Sequence, residues 1–141
     1  IAHHAVVSGY SALFISASEL LNNLSSCISS TQLNRKIKKF TTPHLLVVDE
    51  LGYLATSNQL ADLFFEVVSR RYQRKPIVIT SNKPFAEWNQ VFPNTSCVVA
   101  LIDRLIHKAE IVAIDADSYR LKEAKQRQES MGKSNSAKKN K

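Results

Sequence analysis

The sequence has 141 residues, of which 44% are hydrophobic and 22% are charged, proportions typical of a folded globular domain. It contains no run of about 18 apolar residues, so we expect no membrane-spanning helix. The first residues lack the basic start and apolar block of a secretory signal, and we therefore expect no leader peptide. The two cysteines, Cys27 and Cys97, are far apart and lack metal-type spacing, which predicts free thiols in a reducing cytoplasm.

The net charge of +7 is concentrated at one end of the chain. Residues 118–141 hold eight lysines and arginines against two glutamates, so the preceding residues are nearly neutral. A block of like charge resists compaction and attracts polyanions such as nucleic acid. A solvated tail that only keeps the protein dispersed would have the same composition. We predict a disordered basic tail over residues 128–141 and leave both roles open.

Apolar runs and amphipathic segments alternate along the chain. Four short apolar runs predict strands, at Ala12–Ser16, Leu45–Val48, Ile77–Thr80 and Ile111–Ile114. The second and third runs lack polar alternation, so we expect both to be fully buried, as in a parallel sheet. Helical spacing predicts helices between the strands, one of them capped by Ser18 with Ile28 on its buried face. Trp88 and Phe92 are interpreted as packing residues. The alternation predicts a doubly wound α/β fold, in which chemistry collects at the carboxyl ends of the strands.

Two carboxylates directly follow the second predicted strand. Asp49 and Glu50 would stand at the open edge of the sheet, where the first could hold Mg²⁺ directly or through water. The second could orient or deprotonate a water that attacks a γ-phosphate, which is the Walker B pattern. Acidic residues also end many strands simply because they suit loops, so the pair alone is a weak signal.

Two further side chains are candidates for the same chemistry. Asn82 ends the third predicted strand, and its amide could position a water between Glu50 and a γ-phosphate, although asparagine also suits the turn before Pro84. Arg104, beside Asp103 on a predicted helix, could neutralise transition-state charge in a neighbour's site as an arginine finger, or could make ordinary surface contacts. The four histidines show no ligand spacing, and we predict no metal site from them.

Five segments of the chain resemble one family of proteins. The segment His44–Leu54 resembles the Walker B segment of IstB-type helper ATPases, and Ala61–Tyr72 resembles the helix that follows it. Ile79–Trp88 resembles their sensor 1 segment, and Leu101–His107 and Asp117–Ala124 resemble their closing segments. The resemblance runs from about residue 1 to residue 127. Proteins of this family assist a transposase of the insertion-sequence type and are related to DnaC-type helicase loaders.

The resemblance implies an AAA+ core, a P-loop NTPase-like parallel sheet with flanking helices. It implies that Asp49 lies on the magnesium side, that Glu50 is the catalytic base and that Asn82 is the sensor amide in contact with the bound nucleotide. Arg104 becomes the arginine-finger candidate, and the role of Arg120 is not assigned. ATP and Mg²⁺ are the implied cofactors, and the implied partners are DNA, a transposase and further copies of the chain in an AAA+ oligomer.

The sequence departs from the family pattern at the phosphate loop. The family begins its core with a strand followed by Gly-x-x-x-x-Gly-Lys-Ser/Thr, which binds phosphates through backbone N–H groups and the lysine. The only glycines here are Gly9, Gly52 and Gly132, and none begins such a motif. We therefore expect residues 1–127 to form a partial core that lacks the first, central strand and the loop, and we expect ATP binding and hydrolysis in the intact protein rather than in this chain.

The family's strand order gives a prediction for the remaining strands. The first three predicted strands should pair with one another, and Ile111–Ile114 should lie across a gap or close up against Ile77–Thr80. Two other readings of the chain stay open, a fragment of a DnaC-type helicase loader and a non-catalytic remnant that binds DNA. The segments Ser81–Trp88 and Asp117–Ala124 favour the transposition helper over the loader.

Overall fold

The computed structural model describes residues 1–52, 57–92 and 95–116. The chain divides into a first compact unit, Ile1–Ala109, and a second that begins at Glu110, of which residues 110–116 are described. The elements of the first unit follow in chain order: α1 (Ala2–Val7), β1 (Ala12–Ser16), α2 (Ala17–Ser25), α3 (Ser30–Thr41), β2 (Leu45–Leu51), α4 (Asn58–Arg71), β3 (Ile77–Ser81), a 3-10 helix (Phe85–Glu87), α5 (Trp88–Val91) and α6 (Thr95–Ile106). The predicted basic tail lies outside the described residues.

The three strands form one parallel sheet in the order β1-β2-β3, which confirms the predicted pairing. Ala12 of β1 pairs with Leu45 of β2, and the register continues to Ser16 opposite Asp49. Leu45–Val48 is buried along its whole length, as its unbroken apolar sequence predicted. Because the strands are parallel, their carboxyl ends meet at one edge, and polar residues that end different strands become neighbours there.

The prediction that β3 is fully buried was wrong. Ile77, Val78 and Ile79 are half-buried, and Thr80 and Ser81 are exposed. Among the described residues β3 pairs only with β2, so its other side is an open sheet edge. An edge strand has fewer neighbours to cover its side chains, however apolar its sequence is.

The prediction of a strand at Ile111–Ile114 was also wrong. Residues 111–116 have no regular secondary structure, and the side chains of Ile111, Val112 and Ile114 are 60%, 71% and 86% exposed. A strand needs a neighbour to accept its backbone hydrogen bonds and a surface to cover its apolar face. Because residues 111–116 form no strand, neither of the two arrangements predicted for it is observed.

Helices pack against the sheet and complete one apolar core. Phe64 of α4 stacks on Phe92 with 5.9 Å between the ring centroids, and Trp88 lies 6.1 Å from Phe92. Trp88 and Phe92 are 2% and 1% exposed, which confirms that they are packing residues. The other members of this core include Leu20, Leu21 and Leu24 of α2, Ile37 and Phe40 of α3, and Val67 of α4.

The start and end of α2 differ from the prediction. The cap is Ser16 rather than Ser18, because the Ser16 hydroxyl accepts a hydrogen bond from the Glu19 N–H at 3.2 Å. The strand thus passes directly into the helix, and its last residue caps it. Ile28 lies beyond the end of α2 and is 95% exposed, so it does not belong to the buried face.

A buried arginine fixes the opposite, amino edge of the sheet. Arg71, the last residue of α4, is 1% exposed and donates hydrogen bonds of 2.6 to 3.0 Å to the carbonyls of Phe40, Pro43, His44 and Pro76. Burial lowers the pKa of its guanidinium. The Phe40 carbonyl is in the last turn of α3, where carbonyl groups lack helical partners and carry partial negative charge. Arg71 therefore ties the end of α3 to the segments that enter β2 and β3.

Candidate functional site

The candidate site is the carboxyl edge of the sheet, where β2 contains a β-bulge. Two residues of β2, Asp49 and Glu50, lie opposite the single residue Thr80 of β3. The registered pairs on either side are Val48 with Ile79 and Leu51 with Ser81. A bulge bends its strand and redirects side chains, and bulges are frequent beside active sites. Both predicted acids therefore lie at an irregularity of the sheet.

Glu50 has a backbone conformation that non-glycine residues rarely adopt. Its φ is +59°, in the left-handed region, and its side chain is exposed. This conformation costs a residue with a side chain about 1–2 kcal/mol. Of the three described non-glycine residues with positive φ, Glu50, Gln73 and Lys108, only Glu50 lies within a strand. Strained backbone positions cluster at active sites, so this one is a candidate functional position.

Thr80 contacts both acids of the bulge. Its Oγ1 accepts a hydrogen bond from the Glu50 N–H at 3.0 Å, and its hydroxyl donates to Asp49 Oδ1. Thr80 was not among the residues singled out from the sequence. The sequence shows that Thr80 lies at the polar end of a predicted strand. Which acid Thr80 faces depends on the register between β2 and β3, which the sequence does not give.

Asn82 lies against the backbone that follows the acid pair. Gly52 has a φ of +125°, and a Cβ atom at that position would stand 2.6 Å from Asn82 Oδ1 and 3.2 Å from the Ser81 hydroxyl. Only a glycine leaves room for this approach. The three residues predicted from the strand ends, Asp49, Glu50 and Asn82, therefore share one edge of the sheet.

The turn after β3 is fixed by a short series of hydrogen bonds. The Ser81 hydroxyl accepts from the Lys83 N–H and donates to the Lys83 carbonyl, each at 3.0 Å. The indole of the buried Trp88 donates to the same carbonyl at 3.2 Å. Asn82 thus stands on a turn that is anchored in the core rather than on a free loop.

Arg104 lies apart from this edge in its contacts. Its guanidinium is 4.3 Å from the centroid of the Phe65 ring and donates to the Ser69 hydroxyl, both on α4. The described part of the chain shows no contact between Arg104 and the acid pair. The arginine is half-buried, and its observed role within this chain is to join α6 to α4.

The donor atoms at the edge suit a magnesium nucleotide. Carboxylate, hydroxyl and amide oxygens are the ligand types that Mg²⁺ prefers, and Mg²⁺ usually keeps several waters and binds through one or two carboxylates plus substrate phosphates. In the ranges that the structure describes, no group of three or more His, Cys, Asp and Glu side chains could hold a metal ion alone. The carboxylates of Asp49 and Glu50 and the amide of Asn82 are oxygen donors of the kind that Mg²⁺ binds together with substrate phosphates.

A parallel sheet with flanking helices, an acid pair at the carboxyl end of one strand and an amide at the end of the next together define a core of the AAA+ P-loop NTPase type. A family model described as IstB-like ATP binding protein matches residues 1–127, and the chain belongs to that family.

Proteins of insertion sequences are similar to this chain. A protein of insertion sequence IS5376 from Geobacillus stearothermophilus, named for ATP binding, is 37% identical over 125 residues, which are 89% of this chain and 50% of that protein. The corresponding protein of IS21 from Pseudomonas aeruginosa is 36% identical over 119 residues, or 84% of this chain and 45% of that protein. The chain thus spans about half the length of the curated relatives it matches.

Solved structures of replication proteins have the same fold. A DNA replication initiation factor gives a TM-score of 0.68 at 18% identity, with 92% of this chain and 39% of that chain covered. The replication initiator DnaA bound to AMPPCP and single-stranded DNA gives 0.66 at 18% identity, with coverages of 82% and 34%. No helix in the described ranges is long and apolar enough to cross a membrane.

Proposed function

We propose that this chain is part of an ATP-dependent helper protein that assists a transposase in the movement of an insertion sequence. The observation that supports the proposal most strongly is the shared edge of Asp49, Glu50 and Asn82 in a member of the IstB-like family. DNA, the transposase and further copies of the chain are the proposed partners. The proposed location is the cytoplasm.

In the proposed reaction the acids of the bulge have separate tasks. Asp49 Oδ1 already accepts a hydrogen bond from the Thr80 hydroxyl. Oδ2 is therefore left for a magnesium ion or for a water bound to that ion. Glu50 orients the attacking water and accepts its proton, and the Asn82 amide hydrogen-bonds the same water. Bound Mg²⁺ would neutralise charge on the phosphates. The backbone cradle for those phosphates is the phosphate loop of the family, which this sequence does not contain.

Arg104 remains the candidate arginine finger for a neighbouring subunit. The role is supported by its guanidinium, which matches phosphate geometry, and by its place near the end of α6. To reach a neighbour's γ-phosphate the side chain would have to give up its hydrogen bond to Ser69 and its position over Phe65. The finger role therefore requires a rearrangement on assembly.

One face of α3 supports DNA as a partner. The helix holds four cations and no acidic residue. Arg35, Lys38 and Lys39 are exposed and, three and four residues apart, share one face, whereas Lys36 is half-buried and donates to Asn23 Oδ1 at 3.0 Å. The cations in the last turn also interact favourably with the helix carboxyl end, which is an ordinary reason for their presence. A row of exposed cations nevertheless suits a phosphate backbone.

The test of the proposal is a capture experiment that also separates the competing readings. It uses a version of the protein in which the family's first strand and phosphate loop precede Ile1, called the loop-restored protein below. With Mg-ATP and DNA present, we expect the immobilised protein to retain the transposase of a related insertion sequence and not a replicative helicase. Retention of the helicase alone would support a helicase loader, and retention of DNA without either protein would support a non-catalytic remnant.

A further inference from the structure

The hydroxyl of Thr80 is the only side-chain group in the described residues that bonds to both members of the acid pair. It accepts a hydrogen bond from the Glu50 backbone N–H and donates one to the Asp49 carboxylate. Both bonds cross from β3 to the bulge of β2, at the one place where the register between these strands changes. The contact therefore lies where the sheet departs from regular pairing.

We propose that Thr80 is a positioning residue of the proposed hydrolytic edge: its hydroxyl holds the bulge so that Glu50 keeps its left-handed conformation and Asp49 keeps the orientation in which Oδ1 accepts the Thr80 hydrogen bond. The inference rests on the proposed ATP hydrolysis at this edge and adds a residue that acts through the two acids rather than on the substrate.

The physical reason is the strain at Glu50. A residue with a side chain leaves the left-handed region readily unless neighbouring bonds hold it there. If the bulge relaxed to regular pairing, β2 would shift by one residue beyond Val48, and every side chain after that point would turn to the opposite face of the sheet. The side chains of both acids would then move from their observed positions, although neither residue had been substituted.

Threonine also has an ordinary role at such a position. It is β-branched and suits strands, so Thr80 could serve only as a strand former. Two substitutions separate the roles. Thr80→Val keeps the branched shape and strand preference but removes the hydroxyl, whereas Thr80→Ser keeps the hydroxyl and removes the methyl group. A control variant is Thr41→Val, which removes a hydroxyl that bonds to the Ile37 carbonyl within α3.

The first readout is hydrogen exchange of the Glu50 amide in the full 141-residue chain. Loss of the bond to Thr80 should speed exchange at this amide about tenfold in Thr80→Val, the factor expected for one hydrogen bond. Thr80→Ser and Thr41→Val should retain the parental rate at Glu50. An unchanged Glu50 amide in Thr80→Val would overturn the proposal, as would equal effects of valine and serine.

The second readout is ATP hydrolysis by the loop-restored protein. Thr80→Val should lower kcat about 10- to 100-fold, as misplaced catalytic groups do, with KM within twofold of the parent, and Thr80→Ser should restore kcat. Full activity of Thr80→Val beside an inactive Glu50→Gln would overturn the role of Thr80 and leave the proposed function standing. Full activity of Glu50→Gln would overturn both.

Discussion

At the scale of single residues, the candidate site combines two positions that glycine would fill most easily. Gly52 is a glycine, and its missing Cβ makes room for Asn82. Residue 50 is a glutamate, although its φ of +59° lies in the region that glycine enters freely. In the proposed reaction the Glu50 carboxylate serves a purpose that outweighs about 1–2 kcal/mol of backbone strain.

The positive φ of Glu50 predicts an inverted preference between glycine and alanine at residue 50. Glu50→Gly and Glu50→Ala both remove the carboxylate, but only alanine keeps the strain of the left-handed conformation. The glycine variant should therefore be more stable than the alanine variant by about 1 kcal/mol in urea unfolding of the full chain.

Phe14 provides the matched control for this comparison, because it is an exposed residue of β1 with no positive φ. There Phe14→Ala should be more stable than Phe14→Gly by about 0.5–1 kcal/mol, the usual order in a strand. The same order at both positions would show that the bulge exerts no strain on Glu50.

At the scale of elements, α3 connects a charged surface to the sheet. Its cationic face is exposed, its apolar face is buried through Ile37 and Phe40, and the carbonyl of Phe40 binds Arg71. Arg71 also holds the carbonyls of Pro43 and His44, which lead into β2. The helix that is proposed to meet DNA is thus bonded to the entrance of the strand that ends in the acid pair.

The DNA role of α3 predicts a change in salt dependence. Replacing Arg35, Lys38 and Lys39 together by glutamine should reduce the steepness of log affinity against log salt by as much as about 2.7, since each duplex phosphate contact contributes about 0.9. Deleting Lys133–Lys141 should also reduce the steepness if the basic tail contributes contacts. Filter binding to one duplex over a range of salt concentrations measures both effects.

The control for α3 is Lys108→Gln, which changes an exposed cation in the turn after α6. It should leave the steepness unchanged to within one phosphate contact. If the α3 triple variant and the tail deletion both match the parent, DNA is bound elsewhere or not at all.

The strands and their shared edge show how much of the fold and of the site could be predicted from the sequence. Strands β1 to β3 and the shared edge of the acids and Asn82 followed from local apolar runs and from the rule that parallel strands end together. The bulge and Thr80 could not be predicted, because they depend on the register between two strands far apart in sequence. Ile111–Ile114 has the composition of a strand, yet strand formation depends on a partner that no local pattern reports.

Arg104 illustrates the same limit for a single side chain. Its sequence context allowed either a finger or a surface arrangement with its chain neighbours. The structure places it on Phe65 and Ser69, about 35 residues earlier in the chain, a contact that only the packing of α6 on α4 creates. Helix periodicity predicts which residues share a face but not which helix that face meets.

At the scale of the whole molecule, the chain has the proposed hydrolytic edge but lacks the phosphate loop of its family. The matched relatives are about twice as long, and β3 has an open edge in the described residues. An open parallel edge exposes unpaired backbone groups and favours self-association. Because the phosphate loop is missing, we expect the chain alone not to bind Mg-ATP at about 1 µM, an affinity that corresponds to about −8 kcal/mol. We expect binding once the loop is present.

The central claim is that the bulge of β2 supplies the general base for ATP hydrolysis, and single-turnover hydrolysis by the loop-restored protein and its Glu50→Gln variant tests it most directly. Glutamine keeps the shape of glutamate but cannot accept a proton from water. The variant should bind ATP as the parent does and hydrolyse it about 10²- to 10⁴-fold more slowly, the usual worth of a general base. A hydrolysis rate within a factor of two of the parent, with ATP bound, would contradict the account.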